Sequence, residues 1–349
     1  MPARDDVRPN PGEDSGPMTP NAAAAEPLGP RLWADFFQGS RVACARLISA
    51  LEDRPDLVPA IRDRLVPRQK GAVRIGITGP PGVGKSTVTA ALARRSLAAG
   101  HTVGVIAVDP SSPFTGGAFL GDRVRMQGLI GDDRAFIRSM ASREGHGGLS
   151  PATPYAAEVF DAFGMDRIFI ETVGVGQAEL DVLTCADLIV LVLQPGTGDV
   201  IQALKAGIIE AADLLLVNKS DLPGTDTLLE SLRFLYEIGG RPKSVPVPPV
   251  LTASALQDQG LDEVHAEMER LIERHATSGR LREKRLQRLE ADLKAAILHD
   301  LWDRFSDLTD APAELRVAAR RLLADGHSPY PFLRAIGARV RMEIEDEEA

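Results

Sequence analysis

Residues 79–86 read Gly-Pro-Pro-Gly-Val-Gly-Lys-Ser, which matches the phosphate-binding pattern G-x-x-x-x-G-K-[ST] in full. The apolar run 73–77 precedes this stretch, and a helical pattern opens at Thr87. Between a strand and a helix, the glycines let backbone N–H groups turn toward a phosphate, and the helix N-terminus adds positive potential. The stretch therefore predicts a P-loop at a nucleotide site, with an ordinary glycine-rich turn as the alternative.

Each residue of this loop is a predicted nucleotide contact. The predicted contacts are Gly79, Pro80, Pro81, Gly82, Val83, Gly84, Lys85, Ser86 and Thr87. We expect the Lys85 ammonium to reach the β- and γ-phosphates, and the Ser86 hydroxyl to coordinate Mg²⁺.

Short apolar runs continue on both sides of the loop and predict the fold class. They lie at 73–77, 103–108, 168–170, Leu188–Leu193 and Leu214–Val217, with a further hint at 250–251. Continuous short runs of this kind fit parallel strands that are covered on both faces, and helical patterns separate most of them. We predict an α/β fold with a doubly wound, mostly parallel sheet, in which ligands bind at the carboxyl ends of the strands.

The flanking sequence predicts helical extensions at both ends. Residues 1–29 are rich in Pro, Gly, Ala and acids and predict a disordered tail. An N-terminal helical extension is predicted over 30–70, and the P-loop domain over 71–276. A C-terminal helical dimerisation arm is predicted over 277–349, where Leu286, Leu289, Leu293, Ile297 and Leu301 recur at helical spacing. Two shorter helical patterns follow at 313–324 and 331–342.

Composition excludes several classes of protein. The net charge of −9, without a long basic run, argues against nucleic-acid binding. No apolar run reaches the length of a membrane-spanning helix, and the acidic N-terminal segment lacks the apolar core of a signal peptide, so we expect a cytoplasmic protein. Cys44 and Cys185 are isolated in apolar settings and predict core residues rather than a disulfide or zinc site.

A second motif, Asn218-Lys219-Ser220-Asp221, ends the predicted strand Leu214–Val217. A carboxylate at Asp221 can accept from the ring N1–H and the exocyclic amine of guanine, whereas adenine presents no such pair of donors. Asn218 and Lys219 are expected to brace the site and cover the base. Ser254 and Ala255 follow the last short apolar run, where a backbone N–H can meet the guanine carbonyl. A plain capping turn is the alternative for the tetrapeptide.

A carboxylate also ends the predicted strand 168–170. Glu171 stands where P-loop enzymes place a ligand of the Mg²⁺ shell, and the N–H of Gly174 is positioned to sense a γ-phosphate. Glutamate replaces the aspartate that is usual in GTPases. Gln177 lies two residues further from the glycine than the usual water-orienting glutamine, so the spacing does not support that role for it.

Two further strand ends lead into glycine-containing loops. Asp109 ends the run 103–108 and can hold the Mg²⁺ shell, and the stretch 109–123 contains Gly116, Gly117 and Gly121. These glycines favour a segment that is ordered by the γ-phosphate, although a surface loop with capping acids is the alternative. The loop 194–199 follows the run Leu188–Leu193. A mobile loop and a simple turn with Asp199 as helix N-cap both remain open.

Taken together, the stretches GPPGVGKS, VDPSSPFTGGAFLGDR, ETVGVGQ and NKSD resemble the MeaB/ArgK family of G proteins over about residues 31–345. The resemblance implies a P-loop GTPase of the SIMIBI class that forms a homodimer through its C-terminal helices. It also implies a chaperone of adenosylcobalamin-dependent methylmalonyl-CoA mutase, in which GTP hydrolysis gates cofactor loading and protects the mutase.

The same resemblance assigns roles to particular residues. It implies that Ser86, Asp109, Asp122 and Glu171 bind Mg²⁺, and that Lys85 acts with the last three of these in catalysis. Asn218 and Asp221 are implied in base recognition. A third switch, which relays nucleotide state to the mutase, is implied for Asp199, Gln202 and Lys205.

Two other functions remain to be weighed. A GTP- or ATP-dependent kinase linked to amino-acid transport would need an acceptor site with a base near the γ-phosphate, and no acceptor motif is evident. A nickel-inserting GTPase is disfavoured because the chain has six histidines, no histidine-rich tract and no C-x-x-C.

Overall fold

The computed structural model describes residues 28–110, 126–129, 131–142, 149–172, 178–196, 207–238, 247–308, 315–317 and 319–320. Five predicted functional residues lie outside these ranges: Asp122, Gly174, Asp199, Gln202 and Lys205. Gln177, whose spacing does not support a catalytic role, lies outside them too. Most of the predicted disordered tail and of the two short C-terminal helices lies outside them as well. Over the part of the chain that is described, none of the helices combines the length and apolarity needed to cross a bilayer.

Seven strands form one sheet, in the order β3-β2-β4-β1-β5-β6-β7. They are β1 Val73–Thr78, β2 Val103–Pro110, β3 Ala135–Ser142, β4 Arg167–Glu171, β5 Leu188–Leu193, β6 Leu214–Val217 and β7 Val250–Thr252. Every pairing of neighbouring strands is parallel. The predicted fold class is therefore confirmed.

Ten α-helices are described beside the strands. They are α1 Pro30–Phe37, α2 Arg41–Asp53, α3 Val58–Leu65, α4 Lys85–Ala98, α5 Thr153–Phe163, α6 Ala178–Cys185, α7 Ile208–Ala211, α8 Thr225–Ile238, α9 Leu261–Thr277 and α10 Arg280–Leu308. Short 3₁₀ turns lie at Pro55–Leu57, Val66–Arg68 and Gln127–Leu129.

Strand order places the predicted site at the middle of the sheet. The chain runs from β1 to β2 and β3 on one side, returns through β4, and then crosses β1 to build β5, β6 and β7 on the other side. In a doubly wound sheet, the crevice for ligands lies where this direction reverses, at the carboxyl ends of the strands. Here that position is the end of β1, which leads directly into residues 79–84.

The N-terminal helices share the main apolar core. Phe36, Cys44, Leu47 and Ile61 belong to the same buried cluster as Phe160 of α5. Because Phe36 and Leu47 are almost completely buried, the apolar faces of these helices are covered by the chain itself. The helical extension predicted over 30–70 contains three α-helices.

Ionic contacts fasten the same helices to α5. Arg62 donates from Nε and Nη2 to the two carboxylate oxygens of Glu158, each at 2.9 Å. The backbone N–H groups of Lys70, Gly71 and Ala72 all donate to one oxygen of Asp161, at 2.7, 2.9 and 3.1 Å. These bonds fix the point at which the extension enters β1.

Strand β3 was not predicted from the sequence. Its residues include Arg138 and Ser139, which interrupt the apolar pattern expected of a buried strand. Arg138 is paired with Glu52 and donates to Ser49 Oγ at 3.0 Å, both on α2. An arginine can therefore stand in this strand because a helix far away in sequence supplies its partners.

The chain divides into two compact units, Met1–Met268 and Glu269–Ala349, and the boundary falls within α9. The second unit contains α10, Arg280–Leu308, which includes the residues predicted to recur at helical spacing. Its regularly spaced apolar residues are exposed: Leu286, Leu289, Leu293, Ile297 and Leu301.

Candidate functional site

The loop after β1 has the backbone of a phosphate cradle. Gly79, Gly82 and Gly84 all have positive φ angles, of 141°, 78° and 95°. A Cβ at Gly79 would lie 2.1 Å from the backbone oxygen of Val192, and one at Gly84 would lie 2.5 Å from Nδ2 of Asn218. Because both contacts are closer than atoms can approach, a side chain at either position would displace the loop from its neighbours.

Lys85 lies at the start of α4 and is buried within this loop. Its ammonium donates to the carbonyl oxygens of Gly79 and Pro80, at 2.8 and 2.9 Å. These bonds hold the positive charge at the mouth of the loop. The arrangement presents a cation and the amino end of a 14-residue helix at one place, which is the combination that binds phosphate groups.

Ser86 and Glu171 form a buried oxygen-rich pair beside Lys85. Glu171 ends β4, which is hydrogen-bonded to β1 with Ile77 opposite Glu171. Ser86 Oγ donates to Glu171 Oε1 at 2.5 Å, and both residues are buried. The sheet therefore brings together a hydroxyl and a carboxylate that are 85 positions apart in sequence. Hard oxygen donors of these two kinds suit Mg²⁺.

Asn218 joins three separate parts of the chain. Its amide nitrogen donates to the carbonyl oxygen of Val83 at 2.7 Å, and its side-chain oxygen accepts from the N–H of Ala255 at 3.0 Å. Asn218 itself is buried, and its own N–H donates to Leu193 at the end of β5. One side chain thus connects the phosphate loop with the segment predicted to read the base.

Lys219 extends across the phosphate loop. It has a φ of 57°, an uncommon conformation for a residue other than glycine. Its ammonium donates to the carbonyl oxygen of Gly82 at 2.7 Å, so this side chain links the second motif to the first. Asp221, two residues later, is exposed.

The side chains of several predicted site residues lie outside the described part of the chain. Asp109 lies on β2, but its side chain is outside the described part, as are Asp122, Gly174, Asp199, Gln202 and Lys205 altogether. The described residues contain no cluster of three or more His, Cys, Asp or Glu side chains that could hold a metal. Within these ranges, Ser86 and Glu171 are the two members of the predicted Mg²⁺ set that lie together.

The structure also shows contacts that sequence reasoning missed. Thr172 Oγ1 donates to Thr78 Oγ1 at 3.3 Å, so two buried hydroxyls link the ends of β4 and β1. Arg95, on α4, is paired with Asp258 and Asp262. No local pattern signals either contact, because the partners are far apart in sequence and of types that are common on protein surfaces.

Comparison with known proteins agrees with this geometry. Residues 45–310 match the family described as "Methylmalonyl Co-A mutase-associated GTPase MeaB". The chain is similar to a putative GTPase of Pyrococcus abyssi, with 44% identity over 268 residues that cover 74% of this chain and 81% of the relative. It is also similar to the mitochondrial methylmalonic aciduria type A homolog of Mus musculus, with 32% identity over 317 residues, 86% of this chain and 76% of that protein.

One solved structure extends the comparison to three dimensions. A crystal structure of a LAO/AO transport system kinase superposes with a TM-score of 0.64 and 27% sequence identity. The match covers 89% of this chain and 97% of that one. The similarity therefore includes most of the described elements, and not the phosphate loop alone.

Proposed function

The chain belongs to the MeaB family of methylmalonyl-CoA mutase-associated GTPases, and we propose that it binds GTP and hydrolyses it to GDP and phosphate in the groove at the end of β1. The observation that carries this proposal is the position of Asn218. Its side chain bonds to the phosphate loop at Val83 and to the predicted base-reading segment at Ala255. The two segments proposed to bind phosphate and base are thereby linked through one side chain.

The two ends of the groove bind different parts of the nucleotide. At the phosphate end, Lys85 and the backbone N–H groups of the loop stabilise the charge that develops on the γ-phosphate as water attacks. At the base end, Asp221 accepts from the two donors of guanine while Lys219 covers the ring. The Asp221 carboxylate is exposed in the chain alone, and a bound base would cover it. Adenine lacks the two donors and would leave the covered carboxylate unpaired, and this cost selects against adenine.

Mg²⁺ fits the residues beside Lys85. Ser86 and Glu171 are buried at the head of α4 and already hydrogen-bonded to each other, and they offer the hydroxyl and carboxylate oxygens that this ion prefers. We propose that they hold the ion together with Asp109 and Asp122. When bound, Mg²⁺ neutralises charge on the β- and γ-phosphates. The chain's own contribution is to fix these oxygens next to Lys85.

Loss of the Lys85 ammonium tests the hydrolysis proposal. Lys85→Ala should reduce release of free phosphate from labelled GTP by at least about 10²-fold, because the variant loses a charge aimed at the transition state. Lys294→Ala, on the exposed surface of α10, is the matched control and should hydrolyse GTP normally. Free phosphate released without an acceptor supports a switch, whereas turnover only with an added acceptor supports a kinase. Normal hydrolysis by Lys85→Ala would contradict the assignment.

We further propose that the chain is a chaperone of an adenosylcobalamin-dependent methylmalonyl-CoA mutase. Support comes from the name of the matched family and from the relative named for methylmalonic aciduria. In this role, nucleotide state controls cofactor loading, and Asp199, Gln202 and Lys205 relay that state to the mutase. Hydrolysis by the chain alone should be slow and should accelerate when the mutase binds.

Reconstitution with a mutase tests the chaperone role. Transfer of adenosylcobalamin into the apo-mutase should proceed with GTP and should stall with a non-hydrolysable analogue. Asp199→Ala should retain GTP binding but lose the acceleration by the mutase. Identical transfer with GTP, with the analogue and without the chain would contradict this role.

A homodimer is the proposed assembly. The apolar side chains of α10 recur every three or four residues and remain exposed, as they do on helices that pair with a second chain. The occupant we propose for this stripe is the same helix of a second copy.

A further inference from the structure

Arg95 lies on α4, the helix that begins at the phosphate loop, and bonds to two distant carboxylates. Its Nε donates to Asp262 Oδ1 at 2.6 Å, and a terminal nitrogen donates to Asp258 Oδ1 at 3.0 Å. The Arg95 side chain is only 15% exposed. Asp262 lies in the first turn of α9, and Asp258 lies in the turn just before that helix. One guanidinium therefore fixes the turn at two points.

The turn that Arg95 holds is unusually constrained. Ser254 and Gln259 exchange backbone hydrogen bonds at 3.1 Å in both directions. Asp258 has a φ of 56°, in the left-handed region that residues other than glycine seldom adopt. A Cβ at Gly260 would lie 2.5 Å from the backbone oxygen of Thr252. The turn thus has one backbone shape, and the carboxylate at its strained position points to Arg95.

The opposite end of this turn is bonded to Asn218, which also bonds to the phosphate loop. The N–H of Ala255 donates to the side chain of Asn218. Ser254 is buried, and its hydroxyl has no hydrogen-bond partner among the described residues. A buried hydroxyl without a partner is costly unless a ligand or a neighbouring polar group supplies one. The turn is therefore attached to the groove at Ala255 and to the phosphate helix at Arg95.

We propose that Arg95 is a positioning residue for guanine recognition, which acts by holding Asp258 and Asp262 so that the Ser254 hydroxyl meets the base and Ala255 keeps Asn218 in place. This inference rests on the proposed function, because it concerns the base-reading end of the same site. Arg95 touches neither phosphate nor base. Its effect reaches the nucleotide through the turn 254–260.

The charge and the planar geometry of the guanidinium explain why an arginine is needed at position 95. The guanidinium donates along two directions from one planar group, which a lysine ammonium cannot reproduce with the same geometry. Its hydrogen bond also holds the pKa of Asp258 below the usual range of an aspartate. A second bond joins the same surfaces, between Ser96 Oγ and His265 Nε2 at 3.2 Å.

Removal of the guanidinium should separate base affinity from catalysis. In the full-length chain, Arg95→Ala should raise KM for GTP and Kd for GDP about tenfold, the loss expected for charged hydrogen bonds that order a loop. The kcat at saturating GTP and the Kd for ADP should stay within about twofold, since the phosphate end is untouched. Arg94→Ala is the control, because Arg94 is the adjacent residue and lies 3.9 Å from the same Asp258 oxygen. It should behave like the unmodified chain.

A second variant keeps the test valid if Arg95→Ala folds poorly. Asp258→Gly removes the carboxylate but makes the left-handed backbone easier to adopt, so folding is favoured. It should weaken GDP binding as Arg95→Ala does. Asp258→Asn tolerates the same backbone and retains an uncharged acceptor, so it should fall between Asp258→Gly and the unmodified chain.

The outcomes distinguish this inference from the proposed function. If the unmodified chain binds GDP and ADP equally, the proposed function fails. If it prefers GDP, and Arg95→Ala and Asp258→Gly keep that preference and the same KM, the role of Arg95 is overturned. Equal weakening of GDP and ADP, or a fall in kcat at constant KM, would also overturn it, because either result indicates general damage to the fold.

Discussion

The N-terminal helices and the long helix α10 carry apolar stripes of similar spacing, but the stripes are covered to very different extents. Leu47 and Ile48 of α2 have 0% exposure, whereas Leu293 and Ile297 of α10 are 55% and 59% exposed. A helical period shows which face of a helix is apolar. It does not show what covers that face: the apolar face of α2 is part of the main core, whereas that of α10 is exposed and is proposed to pair with a second copy.

Charge on the α10 stripe should have the largest effect. The double substitution Leu293→Asp and Ile297→Asp should convert the proposed dimer to a monomer. The free energy of association should become less favourable by about 4 kcal/mol or more, since carboxylates would have to be buried in the interface. Sedimentation velocity measures this. Lys294→Asp adds a carboxylate at an exposed position on the same helix and should leave the dimer intact.

A double variant that remains a dimer would contradict this prediction. In that case α10 is not the contact between copies, and its exposed stripe has another use. A monomeric unmodified chain at micromolar concentration would contradict the dimer proposal directly.

A cavity in the N-terminal core should have the next largest effect. Leu47→Ala should lower the free energy of unfolding by about 3 kcal/mol, because a fully buried leucine is lost from a close-packed cluster. Val42→Ala, on the exposed face of the same helix, should change it by less than about 0.5 kcal/mol. Urea titration of both variants gives the two values. Equal values would mean that α2 does not share the core.

The smallest effect expected concerns the thiol inside this core. Burial raises the pKa of Cys44 to about 12, from 9.0 in a solvated thiol. Because the pKa in the folded chain is above that of the unfolded chain, the neutral thiol favours folding fully below pH 9 and progressively less as pH rises from 9 toward 12. Between pH 8 and 10 this loss should reach about 1 kcal/mol.

Cys44→Ala isolates that contribution. The variant is less stable at every pH because it leaves a small cavity, but its stability should fall less steeply above pH 9. Unfolding titrations at pH 8, 9 and 10 measure the slopes. Parallel slopes for the two chains would show that the thiol is not buried in the folded protein.

The sequence predicted most of the sheet and both nucleotide motifs because each depends on local patterns. The run before Gly79, the glycines that follow it and the tetrapeptide from Asn218 are all contiguous. What escaped prediction depends on partners far away. Strand β3 contains Arg138, which pairs with Glu52 of α2, and Arg95 pairs with Asp258. A single sequence contains no signal that links such residues.

Calorimetric titration of the full-length chain with GDP and ADP, in the presence of Mg²⁺, measures the guanine preference on which the proposed function depends. We expect GDP to bind at least about 10²-fold more tightly than ADP, because Asp221 is satisfied only by guanine. Asp221→Asn should weaken GDP and favour xanthosine diphosphate, since the amide can donate to its additional carbonyl. Equal affinity for GDP and ADP in the unmodified chain, or no response to Asp221→Asn, would contradict a single guanine-nucleotide site built from residues 79–86 and 218–221.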